Sequence, residues 1–375
     1  MKDLQTVTCG ALLLLLVVSG CSVEDGNSSD LRSQDIQDGA PTFHVDAEWP
    51  RFLPNKWVLG TVTGVAVDSR DHVWVAHAVD LMGPRELGAI QDPPSAECCY
   101  PAPLIIEFDP EGNVVQTWDD PSGDDFIWPE VPHGLFVDHN DYVWVGSQPH
   151  HQVLKFTREG EHVLTIGEAD ASGGSDHEEL LGGPAGIWVD AETNEVFIAD
   201  GYRNRRIVVF DGETGEYRRH WGAYGEPPDD EYEFGSRDAD APPAGQFSTV
   251  HGLTGSRDGR IYAADRRNNR IQVFEQSGEF VTEAFARPGT LSSGSAFDVA
   301  LSPDPAQRFV YLADGTNHKV WIFDRETMEP VGEFGQGGRQ AGQFYRAHVI
   351  DVDSSGNIYV GEVDNERMQK FVPQF

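Results

Sequence analysis

The stretch GLFVDHNDYVWVG, from Gly134 to Gly146, holds two short apolar runs, Gly134 to Asp138 and Tyr142 to Val145, joined by His139, Asn140 and Asp141. Turn-forming residues between β-rich runs predict a strand, a tight turn and a second strand. The same form recurs as GVAVDSRDHVWVA from Gly64, GIWVDAETNEVFIAD from Gly186, GLTGSRDGRIYAAD from Gly252, DVALSPDPAQRFVYLAD from Asp298 and VIDVDSSGNIYVGE from Val349, making six units. After a loop, each adds a third apolar run: PLIIEFD from Pro103, HQVLKFT from His151, RRIVVFD from Arg205, NRIQVFE from Asn269, HKVWIFD from His318 and RMQKFVP from Arg367. A weaker fourth run ends most units, as in EYRRHWG and EPVGEFG.

Four strands per unit, repeated six times at roughly 45–70 residues, predict an all-β, six-bladed β-propeller over residues 42–375. The period within the runs is two rather than 3.6, which excludes helical solenoids. The sixth unit reaches Phe375 after three strands, and TFHVDAEWP, Thr42 to Pro50, can supply its outer strand. An N-terminal strand added there closes the ring and leaves no open sheet edge.

The residues just before the first strand of each unit read Thr63, His133, Ala185, His251, Phe297 and His348. Histidine stands in alternate units, and alternate blades of a sixfold ring lie about 120° apart. The innermost strands line the central channel, so three imidazoles should converge at its mouth. A His₃ set fills three tetrahedral positions of a zinc ion and leaves the fourth for water or substrate. Zinc, with copper or iron behind it, suits imidazole ligands. Any one of these histidines alone reads as a polar residue at the channel rim.

Lys2 and the apolar run Ala11 to Val18 form a leader too short to span a bilayer. Ser19 and Gly20 before Cys21 resemble a bacterial lipoprotein signal, with residues 1–20 removed and Cys21 carrying the lipid. Ser22 resembles the outer-membrane sorting pattern, so the expectation is an exported protein, lipid-anchored to the outer membrane and facing the periplasm or the exterior. Residues 21–41 are polar and acidic, without apolar periodicity, and predict a flexible tether. Membrane contact is expected through the lipid alone. A formal charge of −35 argues against nucleic acid as a partner and against adsorption to anionic lipid. The acidic residues are spread along the whole chain, which suits a hydrated acidic surface. Cys98 and Cys99 are adjacent. A bridge between them needs a distorted linkage, because neighbouring Cα atoms lie about 3.8 Å apart across a trans peptide. Two reduced thiols in a loop are the alternative.

ADGYRNRRIVVF, ADRRNNRIQVF and ADGTNHKVWIF carry the Asp–Asn–Arg/Lys pattern of NHL repeats. VPHGLFVD, ADGYRNRRIVVF, HGLTGS and ADRRNNRIQVF, in this order, resemble the propeller of the peptidyl-α-hydroxyglycine α-amidating lyases. The resemblance implies zinc held by His133, His251 and His348, Tyr202 as the base and Arg266 in an active role. It implies cleavage of R-CO-NH-CH(OH)-COO⁻ to a primary amide and glyoxylate, with a small-molecule or peptide substrate supplied by a separate oxygenase. The family's arginine after the second strand of its first blade falls on Ala78, beside His77, so His77, Arg85 and Arg203 are the weaker substrate-binding candidates. A channel calcium is also implied, although the family's aspartate there is Val349.

Two other readings stand beside the lyase: a metal-dependent ester or lactone hydrolase on the same propeller, and a non-catalytic NHL binding scaffold. DVDSSGNIYVGE, Asp351 to Glu362, has the acidic spacing of an EF-hand calcium loop, but it falls on a predicted strand–turn–strand. His150 and His151 read as a solvated pair on a loop.

Overall fold

The computed structural model describes residues 39–79, 81–119 and 126–374. The leader, the lipid-attachment candidate Cys21 and the tether as far as residue 38 lie outside the described residues.

Six four-stranded antiparallel sheets follow one another along the chain. Their inner strands are Thr61–Val67, Pro132–Val137, Pro184–Val189, Val250–Gly255, Asp298–Leu301 and Ala347–Val352. These strands touch in cyclic order, the sixth meeting the first, so the sheets are the blades of a closed six-bladed propeller. The outer strand of the sixth blade is Thr42–Asp46, antiparallel to Arg367–Gln374 with Thr42 opposite Gln374 and Asp46 opposite Lys370. The closure expected from the sequence is present. Among the described residues, no helix is long and apolar enough to cross a membrane.

The alternating strands bury both faces, because each blade packs between two others. Six apolar clusters form as a result, one at each blade interface. Between blades one and two, for instance, Trp74, Trp118, Leu135 and Phe156 pack together.

Two polar devices repeat, and both explain sequence motifs. In the turn between first and second strands, Asp68 Oδ1 accepts the amides of Arg70 and His72 while Oδ2 accepts from Trp74 Nε1. Asp138 does the same for Asn140, Tyr142 and Trp144. Asp353 repeats it with Ser355, Asn357 and the Tyr359 hydroxyl. The resemblance of Asp351–Glu362 to a calcium loop is therefore a β-hairpin with this Asx-type turn, and no helix flanks it.

The second device is a buried clamp at the end of the second strand. Asp200 accepts from Asn204 Nδ2 at 2.7 Å and from Arg206 Nε at 3.0 Å. Asp265 accepts from Asn268 at 2.7 Å and Arg270 at 2.9 Å. Asp314 accepts from Asn317 and Trp321, and Glu362 from Asn365 and Arg367. These contacts are what the Asp–Asn–Arg pattern encodes, while in blade five Lys319 bonds Glu333 instead and Trp321 completes the clamp.

One feature differs from the sequence reading, one falls on the first of its two alternatives, and one is new. His151 is buried in a turn at φ +58° rather than solvated; only His150 reaches solvent, where it pairs with Glu130 and Asp170. Cys98 and Cys99 are joined in a disulfide across a cis peptide, so the trans spacing of their Cα atoms does not apply. The long loop that holds them also adds a two-stranded parallel sheet, Trp57–Val58 with Tyr100–Pro101.

Arg206 and Asp200 are both fully buried, and removing one partner of such a pair strands the other charge. Arg206→Ala is expected to cost about 3–5 kcal/mol of stability, read as a lowered midpoint in urea unfolding.

Candidate metal centre

His133, His251 and His348 each stand second in an inner strand. At each of these positions the ladder slips. Val250 pairs with Asp265 and Gly252 with Ala264, leaving His251 out of register. Ala347 and Val349 flank His348 in the same way, and the slip in blade two spans His133 and Gly134. A bulge re-aims a side chain that would otherwise alternate across the sheet. Gly134 is required beside it: its φ is +84°, and a Cβ there would lie 1.9 Å from the Ala185 carbonyl oxygen.

The three rings meet on the axis, with centroids 4.8 Å (His133–His251), 5.2 Å (His133–His348) and 5.0 Å (His251–His348) apart. One ring nitrogen of each lies within 4.8 Å of those of the others, so the group could hold a metal ion. Their backbone partners set the tautomers. His251 Nδ1 donates to the Phe297 carbonyl at 2.7 Å and His348 Nδ1 to the Val62 carbonyl at 2.8 Å. A carbonyl oxygen only accepts, so both protons lie on Nδ1 and both Nε2 atoms present lone pairs. Those two Nε2 atoms lie 3.3 Å apart. Burial, with Arg266 adding to it, holds all three imidazoles below their usual range, His348 at about 4, so all are neutral at pH 7. Two facing lone pairs with no proton to share are repulsive unless a cation lies between them. His133 Nδ1 is buried without a partner.

Tyr202 lies in the loop after the second strand of blade three, directly beyond the Asp200 clamp. Its hydroxyl is hydrogen-bonded to His133 Nε2 at 2.9 Å. Arg266, in the corresponding loop of blade four, donates to the Tyr202 oxygen at 3.4 Å. The Arg266 guanidinium also lies over the rings of Tyr202 and Phe297, at 5.4 and 5.1 Å. Burial raises the Tyr202 pKa, and the Arg266 charge opposes the rise.

The weaker candidates separate. His77 is fully buried in the wall of blade one, its Nδ1 accepting from the Gly60 amide and its Nε2 donating to the Pro103 carbonyl. Both nitrogens are engaged, so His77 is not available to substrate. Arg85 lies exposed in the long loop, with no ion pair among the described residues. Arg203 is exposed and lines a large cavity that opens beside Tyr202.

The implied calcium fits poorly, because Val349 is a buried apolar side chain. Below the histidines a small cavity of about 60 Å³ is lined by Asp298 and Asp351. The Asp298 carboxylate already accepts from the amides of Val299 and Ile350, and that of Asp351 from Val67 and Val352. A second cluster of metal-ligand types, Asp68, His72 and Glu107, holds the Arg158 guanidinium as its cation.

The reading from sequence missed that large cavity, of about 740 Å³, between blades three and four. Its one signal is the length of the 222–249 connection. It also missed the channel carboxylates, which sit on inner strands where alternation hides them.

The NHL repeat family model matches residues 247–274, the last three residues of the loop into blade four with its first three strands. Fold and site together define a six-bladed β-propeller with three histidines gathered on its axis and an NHL repeat in its fourth blade. The chain is 29% identical to the mouse peptidyl-glycine alpha-amidating monooxygenase over 88% of its length, spanning 32% of that relative. It is 27% identical to the Drosophila melanogaster peptidyl-alpha-hydroxyglycine alpha-amidating lyase 1, over 88% of this chain and 60% of that one. NHL repeat-containing protein 3 of mouse is 26% identical over 89% of this chain and 85% of its own. A solved streptogramin B lyase shares the fold, with a TM-score of 0.53, 11% identity and coverage of 89% and 98% of the two chains.

Burial pushes the Asp298 carboxyl up to about 8, so the folded state binds its proton more tightly than the unfolded chain. That contribution to stability is complete at low pH and is lost as pH rises through about 8. The buried histidines act with the opposite sign, but only below their unfolded value of about 6.5. With a chelator present, Tm is expected to fall between pH 7 and 9, and Asp298→Asn to flatten that fall.

Proposed function

We propose that this propeller is a zinc-dependent carbon–nitrogen lyase that cleaves α-hydroxyglycine-type amides to a primary amide and glyoxylate. The observation that carries the reading is the pair of neutral Nε2 atoms 3.3 Å apart with His133 beside them. Two imidazoles bound tetrahedrally at about 2.0–2.1 Å would have nitrogens about 3.3–3.4 Å apart. The relatives named for amidation favour the same reading.

The chemistry supplied by a zinc ion held by His133, His251 and His348 is Lewis acidity, which makes a substrate hydroxyl proton easier to remove. Tyr202, once its own proton has passed to solvent, is the group placed to take that proton. Its hydroxyl is engaged with His133 Nε2, and use of that lone pair as a ligand releases the phenol toward substrate. Arg266 offers a hydrogen bond and a positive charge to the phenolate, and a second nearby cation would lower its pKa further. As the substrate O–H proton passes to Tyr202, the C–N bond breaks, the aldehyde carbonyl forms, and a proton returns to the amide nitrogen.

Similarity to NHL repeat-containing protein 3 over nearly its whole length favours a second reading, a binding propeller without catalysis. Export and lipid attachment through Cys21 belong to the main proposal, as does a separate oxygenase that makes the hydroxylated substrate.

Protein purified without a histidine tag is expected to carry about one zinc per chain, lost in His251→Ala. It is expected to release glyoxylate from α-hydroxyhippurate, and Tyr202→Phe to lower kcat by about 10²–10⁴-fold. Metal without glyoxylate but with ester cleavage would point to the hydrolase; neither metal nor turnover would point to the scaffold.

A further inference from the structure

The cavity between blades three and four is walled by the Tyr202 loop, the 222–249 connection and the turn at 266–269. Tyr202 belongs to both places, since its hydroxyl meets His133 and the residue lines the cavity. A molecule that reacts at the histidines and is too large for the 60 Å³ channel cavity beside them would have this cavity, across Tyr202, as space for its remainder.

The charge of the cavity is the reverse of that of the chain. The protein has 62 acidic residues against 27 lysines and arginines, yet Arg203, Arg205, Arg237 and Arg267 all line this one space. None of the four forms an ion pair among the described residues. Arg205 donates to the carbonyls of Asp229 and Tyr232, and Arg237 to those of Arg267, Thr290 and Ser292. The side chains of Arg203 and Arg267 are exposed and make no hydrogen bond among the described residues. Burial and the neighbouring Arg267 push the Arg237 pKa down, against the charge of Asp265. Glu233 and Asp238 also line the cavity, and Asp238 accepts from Ser236 Oγ. Aromatic surface completes it: Phe234 lies 38% exposed beneath the Arg205 guanidinium.

We propose that this cavity receives the acyl arm of the hydroxyglycine amide and selects acyl groups that end in a carboxylate. The proposal rests on the lyase reading above. An aromatic or aliphatic spacer would pack on Phe234, and the carboxylate would accept charge-assisted hydrogen bonds from Arg203 and Arg267.

The test compares succinyl-phenylalanyl-α-hydroxyglycine with its neutral succinamoyl analogue, which differ only at the far end of the acyl arm. The acidic substrate is expected to show a KM about ten-fold lower, a difference of about 1.4 kcal/mol. Arg203→Glu and Arg267→Glu, at exposed positions, should each bring the ratio of the two KM values to one or invert it. Equal KM values in the native protein, or a ratio unchanged in both variants, would overturn the proposal. If neither compound yields glyoxylate, the lyase reading fails, and calorimetric binding of the two corresponding primary amides decides the cavity. Tighter binding of the acidic amide, lost in Arg267→Glu, would sustain its selectivity; equal binding or none would end it.

Discussion

A buried carboxylate at the end of the second strand fixes the upper rim of four blades. Asp200, Asp265, Asp314 and Glu362 have no exposure, and each is held by an asparagine from the following loop. Three also hold an arginine from the third strand. Such a group is tolerated in the interior only when its lone pairs are fully engaged. The loop between carboxylate and arginine is therefore short and rigid. In blade three that loop presents Tyr202, and in blade four it presents Arg266. Blades one and two have Ala78 and Ser147 at the corresponding strand ends, and there the loops diverge: a long excursion with a disulfide in one, the His150–His151 turn in the other.

The inner rim obeys a different constraint. In five blades a slipped ladder turns one residue toward the axis, in blade five Phe297 precedes the strand, and the residue type decides what gathers there. Threonine, alanine and phenylalanine fill three places, and histidine the others. Carbonyls of adjoining segments, Phe297 and Val62, take the Nδ1 protons. The result is a set of lone pairs aimed at one point by groups outside the set, which is how outer partners commonly orient metal-binding imidazoles.

Much of this was legible in the sequence because it depends on local repetition. Strand period, the turn aspartates and the acid–Asn–Arg motif each recur, and repetition turns a weak local signal into a register for the whole chain. The alternation of His133, His251 and His348 could be read in that register without knowledge of the bulges that aim them. Non-repeating features were not legible. His77 stands next to the place of a family arginine, yet two backbone groups of its own blade consume its ring. His151 looked solvated because polarity was the only guide, and its burial depends on tertiary packing. The arginine-lined cavity draws on residues from two blades and a connection with no counterpart elsewhere in the chain.

The pairing of Thr42–Asp46 with the last strand joins segments more than three hundred residues apart, as the contact between Thr42 and Gln374 shows. Blades built from neighbouring hairpins can assemble early, since their contacts are local, whereas this junction must wait for the whole chain. Until it forms, the sixth sheet presents a bare edge and the Val62 carbonyl lacks its His348 neighbour. Completion of the circle is thus also completion of the central cluster, so a chain caught short of its final step would lack both a sealed rim and a competent axis.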